Sequence, residues 1–78
     1  MRCRLDETLV ALWQCLGSSD EWTTTTDVSR MLGQSFAVTQ TDLQLLQEDG
    51  LATEEDAYVW TMTEVGFERV AELEAAGR

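Results

Sequence analysis

The chain has no lysine, no histidine and no proline, only two cysteines and five arginines, and no long apolar run. Each shortage removes something. Without histidine or a Cys-x-x-Cys pair, zinc has no ligand set. With no histidine, no lysine and no serine or cysteine paired to a base, nothing meets the geometric demands of catalysis, so neither an enzyme nor a cofactor is expected. No apolar stretch approaches the roughly 20 residues that cross a bilayer, and no membrane association is expected. The opening residues, MRCRLDETLVALW, carry acid inside the apolar pattern and offer no cleavage site. A secretory signal is therefore not expected, and the reading is a cytoplasmic protein. The lack of proline and of low-complexity sequence points to one ordered domain over residues 1–78. Cys3 and Cys15 on one helix would stand about 18 Å apart at about 1.5 Å per residue, too far for a disulfide. Cys15 is expected as small core filler and Cys3 as a frayed terminal residue.

What the chain has is acid. Asp and Glu number 15 against 5 basic residues, a formal net charge of −10. That exceeds the magnitude of about 2–8 usual for a small domain. Two accounts compete. A salt-rich setting would make an acidic, lysine-free surface a solubility adaptation, because salt screens the self-repulsion. Alternatively, the acid is a working surface that meets a basic partner.

The stretch from Thr24 to Gly50 organises the rest. It holds two short helical patterns broken at Gly33-Gln34-Ser35. Before it, Leu5, Leu9, Leu12 and Leu16 make the apolar stripe of a first helix over residues 5–16, with Asp6 and Glu7 in its first turn and Gly17 as its stop. Gly17 to Trp22 reads as a polar loop whose tryptophan either folds back over the core, the favoured reading, or stands out as an anchor for a partner. The second helix runs from about Thr26 to Leu32, capped by Thr24 or Thr25. The third runs from about Thr39 to Asp49, with Thr39 or Thr41 as cap. Leu43 and Leu46 face inward with help from Leu45, and Phe36 and Val38 pack under the turn. Gly50 supplies a left-handed stop. The period then changes. Leu51–Thr53 and Tyr58–Met62 read as two strands about an acidic turn, with Tyr58, Trp60 and Met62 on one face. Thr63 caps a last helix that turns Phe67, Val70 and Leu73 inward. The class expected is α+β.

Asp27-Val28-Ser29-Arg30-Met31-Leu32-Gly33, Leu43-x-x-Leu46-x-x-x-Gly50-Leu51 and Trp60-Thr61-Met62-Thr63-Glu64-x-Gly66, in that order, resemble the winged helix-turn-helix domains of small bacterial and archaeal transcription regulators. The resemblance implies three helices, a two-stranded β-wing and a C-terminal helix. It implies that the third helix enters the major groove and that the wing tip touches backbone or minor groove. Carried onto this chain, Gln40, Thr41, Gln44 and Gln47 would read bases, with Arg30 on a phosphate. Gln pairs bidentately with adenine, and Thr meets a thymine methyl. Related regulators dimerise through first and last helices, so a homodimer using Trp13, Phe67 and Leu73 is a further expectation. The departures are the cation-free third helix and the Glu54-Glu55-Asp56 wing tip, which opposes a phosphodiester. Two functions stand open. One is a DNA-binding regulator from a high-salt source. The other is an acidic module, built on Asp42, Glu48, Asp49, Glu54, Glu55 and Asp56, that docks a basic protein surface or mimics nucleic acid, as small phage-encoded inhibitors do. Acid gathered on one face favours the second; acid spread over every face favours the first.

Overall fold

The computed structural model describes residues 3–18 and 22–76. In chain order these form α1 (Arg4–Ser18), β1 (Thr23–Thr24), α2 (Thr25–Leu32), α3 (Phe36–Glu48), β2 (Ala52–Asp56), β3 (Val59–Met62) and α4 (Glu64–Ala76). Among the described residues, four helices and a three-stranded antiparallel sheet of order β1-β3-β2 make a compact α+β domain. No helix in this part is long and apolar enough to cross a membrane.

Local chemistry sets the helix ends. The Thr24 hydroxyl accepts from Asp27 N at 3.2 Å and starts α2. Gly33 ends it at φ 67°, a left-handed conformation that side chains resist. Ser35 then caps α3 by accepting from Val38 N at 3.2 Å. The third helix therefore begins at Phe36, a full turn before the Thr39 start expected. Phe36 and Val38 lie on its exposed side at 41% and 40%, rather than under the turn. Thr39, a cap candidate, instead donates its hydroxyl back to Ser35 O at 2.9 Å inside the first turn. Gly50, at φ 77°, follows α3 as a left-handed residue. Thr63 accepts from Gly66 N at 3.0 Å and donates to Gly50 O at 2.7 Å, so one hydroxyl caps α4 and pins it to the end of α3.

The core gathers between the helices and the inner face of the sheet. Leu9, Leu12, Val28, Leu43, Leu46 and Trp60 are buried in it, with Met62 and Val70 alongside. Trp60 is fully enclosed on the central strand, and its indole N–H donates to Thr25 Oγ1 at 2.9 Å, so burial leaves no orphan donor. Cys15 packs in the core, where burial raises its thiol pKa, Cys3 is exposed, and neither is in a disulfide. Arg69 reaches Asp6 at 3.3 Å and ties α4 to α1.

Several expectations are corrected here. The sheet has three strands rather than two, because β1 pairs with β3 through Thr23–Trp60 and Thr24–Val59. Gly17 lies inside the last turn of α1 and does not stop it. The hairpin strand runs on through the acidic residues to Asp56, with a register shift between Glu54 and Asp56. Tyr58 leaves the strand face and forms the turn at φ 62°, 52% exposed. Leu45 and Phe67 stand 38% and 47% exposed rather than inward. Trp22 is 55% exposed instead of folded over the core, and residues 19–21 of its loop lie outside the described part.

Candidate functional site

The residues expected to act fall into two groups. Thr41 and Gln44 lie on the outward face of α3, with Ala37, Val38 and Leu45 around them, all exposed. Thr41 donates its hydroxyl to Ala37 O at 3.0 Å and keeps its methyl on that face. Arg30 is exposed in the last turn of α2. Arg2 and Arg78 lie outside the described residues.

Gln40 and Gln47 do something else. Gln40 Oε1 accepts from Thr25 Oγ1 at 2.6 Å, and Gln40 Nε2 donates to Glu54 Oε2 at 3.2 Å. The same Glu54 oxygen accepts from Tyr58 N at 2.9 Å. Gln47 Oε1 takes Glu54 N at 2.7 Å. A chain of hydrogen bonds thus runs from the enclosed Trp60 indole through Thr25 and Gln40 to Glu54 and the hairpin turn. Phe36 adds an edge-to-face contact with Tyr58, ring centroids 5.1 Å apart. Together these hold a non-glycine residue in the left-handed region, a conformation that costs of order 1 kcal/mol or more. Gln40 and Gln47 therefore position the hairpin against α3 with their side-chain amides. Gln40→Ala should lower stability by about 1 kcal/mol, since it orphans the Thr25 hydroxyl and frees Glu54. Glu54→Ala should cost a similar amount. The pair should couple in a double-mutant cycle of urea melts by at least about 0.5 kcal/mol, and strict additivity would dissolve the chain.

The acidic surface does not assemble as one patch. Asp42, expected in it, is fully buried. Its Oδ1 lies 2.9 Å from Arg4 Nη2, close enough for an ion pair though without hydrogen-bond alignment. Thr8 Oγ1 stands 3.2 Å from Oδ2 and 3.1 Å from Arg4 O. The carboxylate thus joins α3 to α1 in place of facing a partner. Glu54 is half-buried and engaged as above. Glu48, Asp49, Glu55 and Asp56 are exposed, but so are Glu7 on α1, Asp27 on α2 and Glu64, Glu68 and Glu72 on α4. Acid covers every helix and the hairpin, with one gap. From Phe36 to Gln47 the sole ionisable residue is the buried Asp42. The outward face of α3 is therefore neutral for three turns. Arg4, absent from the residues expected to act, sits at its edge. With Ala37, Val38 and Thr41 it lines a shallow hollow of about 230 Å³. A larger apolar groove of about 490 Å³ runs between α1 and α4, lined by Trp13, Phe67, Val70, Ala71, Glu74 and Ala75. Among the described residues, no group of three or more Cys, Asp or Glu could hold a metal ion.

Comparison with protein-family models, with curated proteins and with solved structures finds no match to this chain.

Proposed function

We propose that the chain is a winged helix-turn-helix domain acting as a small DNA-binding transcription regulator suited to high salt. The observation that carries this is the neutral outward face of α3 on a protein that exposes carboxylates from each of its other helices. A duplex approaching there meets Ala37, Val38, Thr41, Gln44 and Leu45, with Arg4 at the edge of the face and Arg30 exposed on α2 among the described residues. Thr41 and Leu45 suit a thymine methyl, and Gln44 suits an adenine edge. The element order supports the fold, with β1 and the hairpin forming one sheet beside α3. The spread of acid supports solvation rather than docking, and at about 1 M salt the Debye length of about 3 Å removes most of its repulsion towards phosphates. Self-association through α1 and α4 belongs to the same reading, with Trp13, Val65 and Phe67 exposed on those helices.

The test is selection from a pool of random duplexes in multimolar KCl, followed by sequencing of the retained fraction. The expected result is an enriched motif, lost in a Thr41→Ala/Gln44→Ala variant that keeps the wild-type melting curve. No retention and no enrichment at any salt would overturn the DNA reading.

A second reading is favoured by one observation. Val38 and Leu45 make the α3 face partly apolar, which suits a protein surface as well as a base-pair edge. Retention of a protein partner on the wild-type domain, lost in Val38→Ser/Leu45→Ser with duplex binding absent throughout, would select it.

A further inference from the structure

Arg4 is the cation that borders the neutral face of α3, and its setting differs from that of an ordinary surface arginine. One arm of the guanidinium, Nη2, is 2.9 Å from a carboxylate with no solvent exposure. The side chain as a whole is 63% exposed. Asp42 is itself held by the Thr8 hydroxyl and belongs to α3, the helix whose outward face Arg4 borders. The ion pair therefore draws the guanidinium to the α1–α3 junction and narrows the rotamers that a free arginine would give up on meeting a ligand. Its open side looks onto the hollow shared with Ala37, Val38 and Thr41. That hollow offers no carboxylate of its own. The Asp42 charge is spent on Arg4 itself, and Glu7 is the next exposed acid along α1.

We propose that Arg4 is a contact for a backbone phosphate of duplex DNA, and that buried Asp42 is its positioning residue. This rests on the DNA reading above and assigns to the site a cation that the sequence resemblance did not supply. A planar guanidinium keeps donors for a phosphate oxygen while one arm is engaged, which a lysine could not do. A phosphate contact carries no sequence information, so Arg4 supplies affinity and register while Thr41 and Gln44 select bases.

The test uses fluorescence anisotropy with two unrelated labelled duplexes across a KCl series. The variant is Arg4→Gln/Asp42→Asn, which replaces the ion pair by a neutral polar pair and avoids stranding a buried charge. Its melting curve is recorded alongside. The expected result is about tenfold weaker binding to both duplexes alike, with the slope of log affinity against log salt changed by about one phosphate equivalent. A variant defective only in packing would lose affinity without that change in slope. A folded double variant with wild-type affinity and slope overturns the assignment of Arg4 alone. A wild-type chain that binds no duplex overturns the DNA reading and the assignment together. Should the double variant not fold, Arg4→Lys decides. An ammonium with no spare planar arm should weaken both duplexes by about threefold, and undiminished affinity would overturn the assignment.

Discussion

Gly66→Ala should destabilise the domain by about 1–2 kcal/mol, although it places a better helix former in a helix. Gly66 is the third residue of α4, buried where the helix crosses the start of the hairpin. A Cβ there would be driven into the Leu51 carbonyl oxygen and within 2.6 Å of Met62 Cγ. Met62 is flexible and can move, but the carbonyl is backbone. Leu51 O also accepts from Thr63 N at 3.2 Å. Moving it away disturbs the junction where Thr63 pins α3 to α4. Overpacking of this kind costs about 1–3 kcal/mol and sometimes more, against a helix-propensity gain of about 1 kcal/mol. A domain of this size has only about 3–5 kcal/mol to lose. Gly17→Ala is the matched control. Gly17 is also helical, and a Cβ there meets nothing within 4 Å. That substitution should stabilise by about 0.5–1 kcal/mol. Urea melts of both variants give the comparison. Equal stabilisation by the two would show that α4 is not seated on Leu51 as described.

The parts of this fold legible in the sequence are those written in local chemistry. Thr63 reads as a cap, and Thr24 as one of two candidates with Thr25, because a hydroxyl a few residues ahead of an apolar period has one evident use; Thr24 and Thr63 each accept a first-turn amide hydrogen. Gly33 and Gly50 read as stops because left-handed backbone favours glycine. The leucine stripe of α1 follows from period alone. What failed was set from a distance. A two-residue strand cannot display alternation, so β1 exists only through its pairing with β3 more than 30 positions on. The cap of α3 was expected at Thr39 or Thr41, whereas Ser35 fills it, because Phe36-Ala37-Val38, a run with low helix propensity, is drawn into the first turn. The ring of Phe36 on Tyr58 is the cross-element contact that no local rule contains.

The candidate site was less legible for the same reason. Gln40, Thr41, Gln44 and Gln47 are alike in a linear reading, spaced along one polar side of a helix. The hairpin separates them, engaging Gln40 and Gln47 and leaving Thr41 and Gln44 outside. Glu54 belonged by composition to an acidic tip expected to oppose a phosphodiester, yet its carboxylate turns back and accepts from Gln40 and from Tyr58 N in the turn. Asp42 carried no signal of burial, since its partners Thr8 and Arg4 come from the first turns of the chain.

That last arrangement sets up an asymmetry. Arg4→Ala should cost about 3 kcal/mol, whereas Asp42→Asn should cost only about 1 kcal/mol. The larger loss comes from the more exposed partner. When Arg4 is removed, a fully buried carboxylate keeps only the Thr8 hydroxyl, and an uncompensated interior charge is among the costliest defects a core can hold. When Asp42 becomes Asn, the guanidinium already reaches water and hydrates, while the amide oxygen can still accept from Thr8. Helix propensity works against the prediction, because alanine is the best helix former and Arg4 opens α1. A loss on Arg4→Ala therefore does not come from helix propensity. Adding Asp42→Asn to Arg4→Gln should recover at least half of what the arginine substitution alone removes, since the stranded charge is gone. Urea melts of the single and double variants in one buffer give all the values needed. Equal costs for the two single substitutions, or no recovery in the double, would mean that the Asp42 carboxylate is hydrated and that Arg4 is an ordinary surface arginine. The phosphate assignment would then lose its positioning residue. If the asymmetry is found, the buried acid on α3 has a role the remaining carboxylates lack: it holds one cation in place beside the neutral helix face.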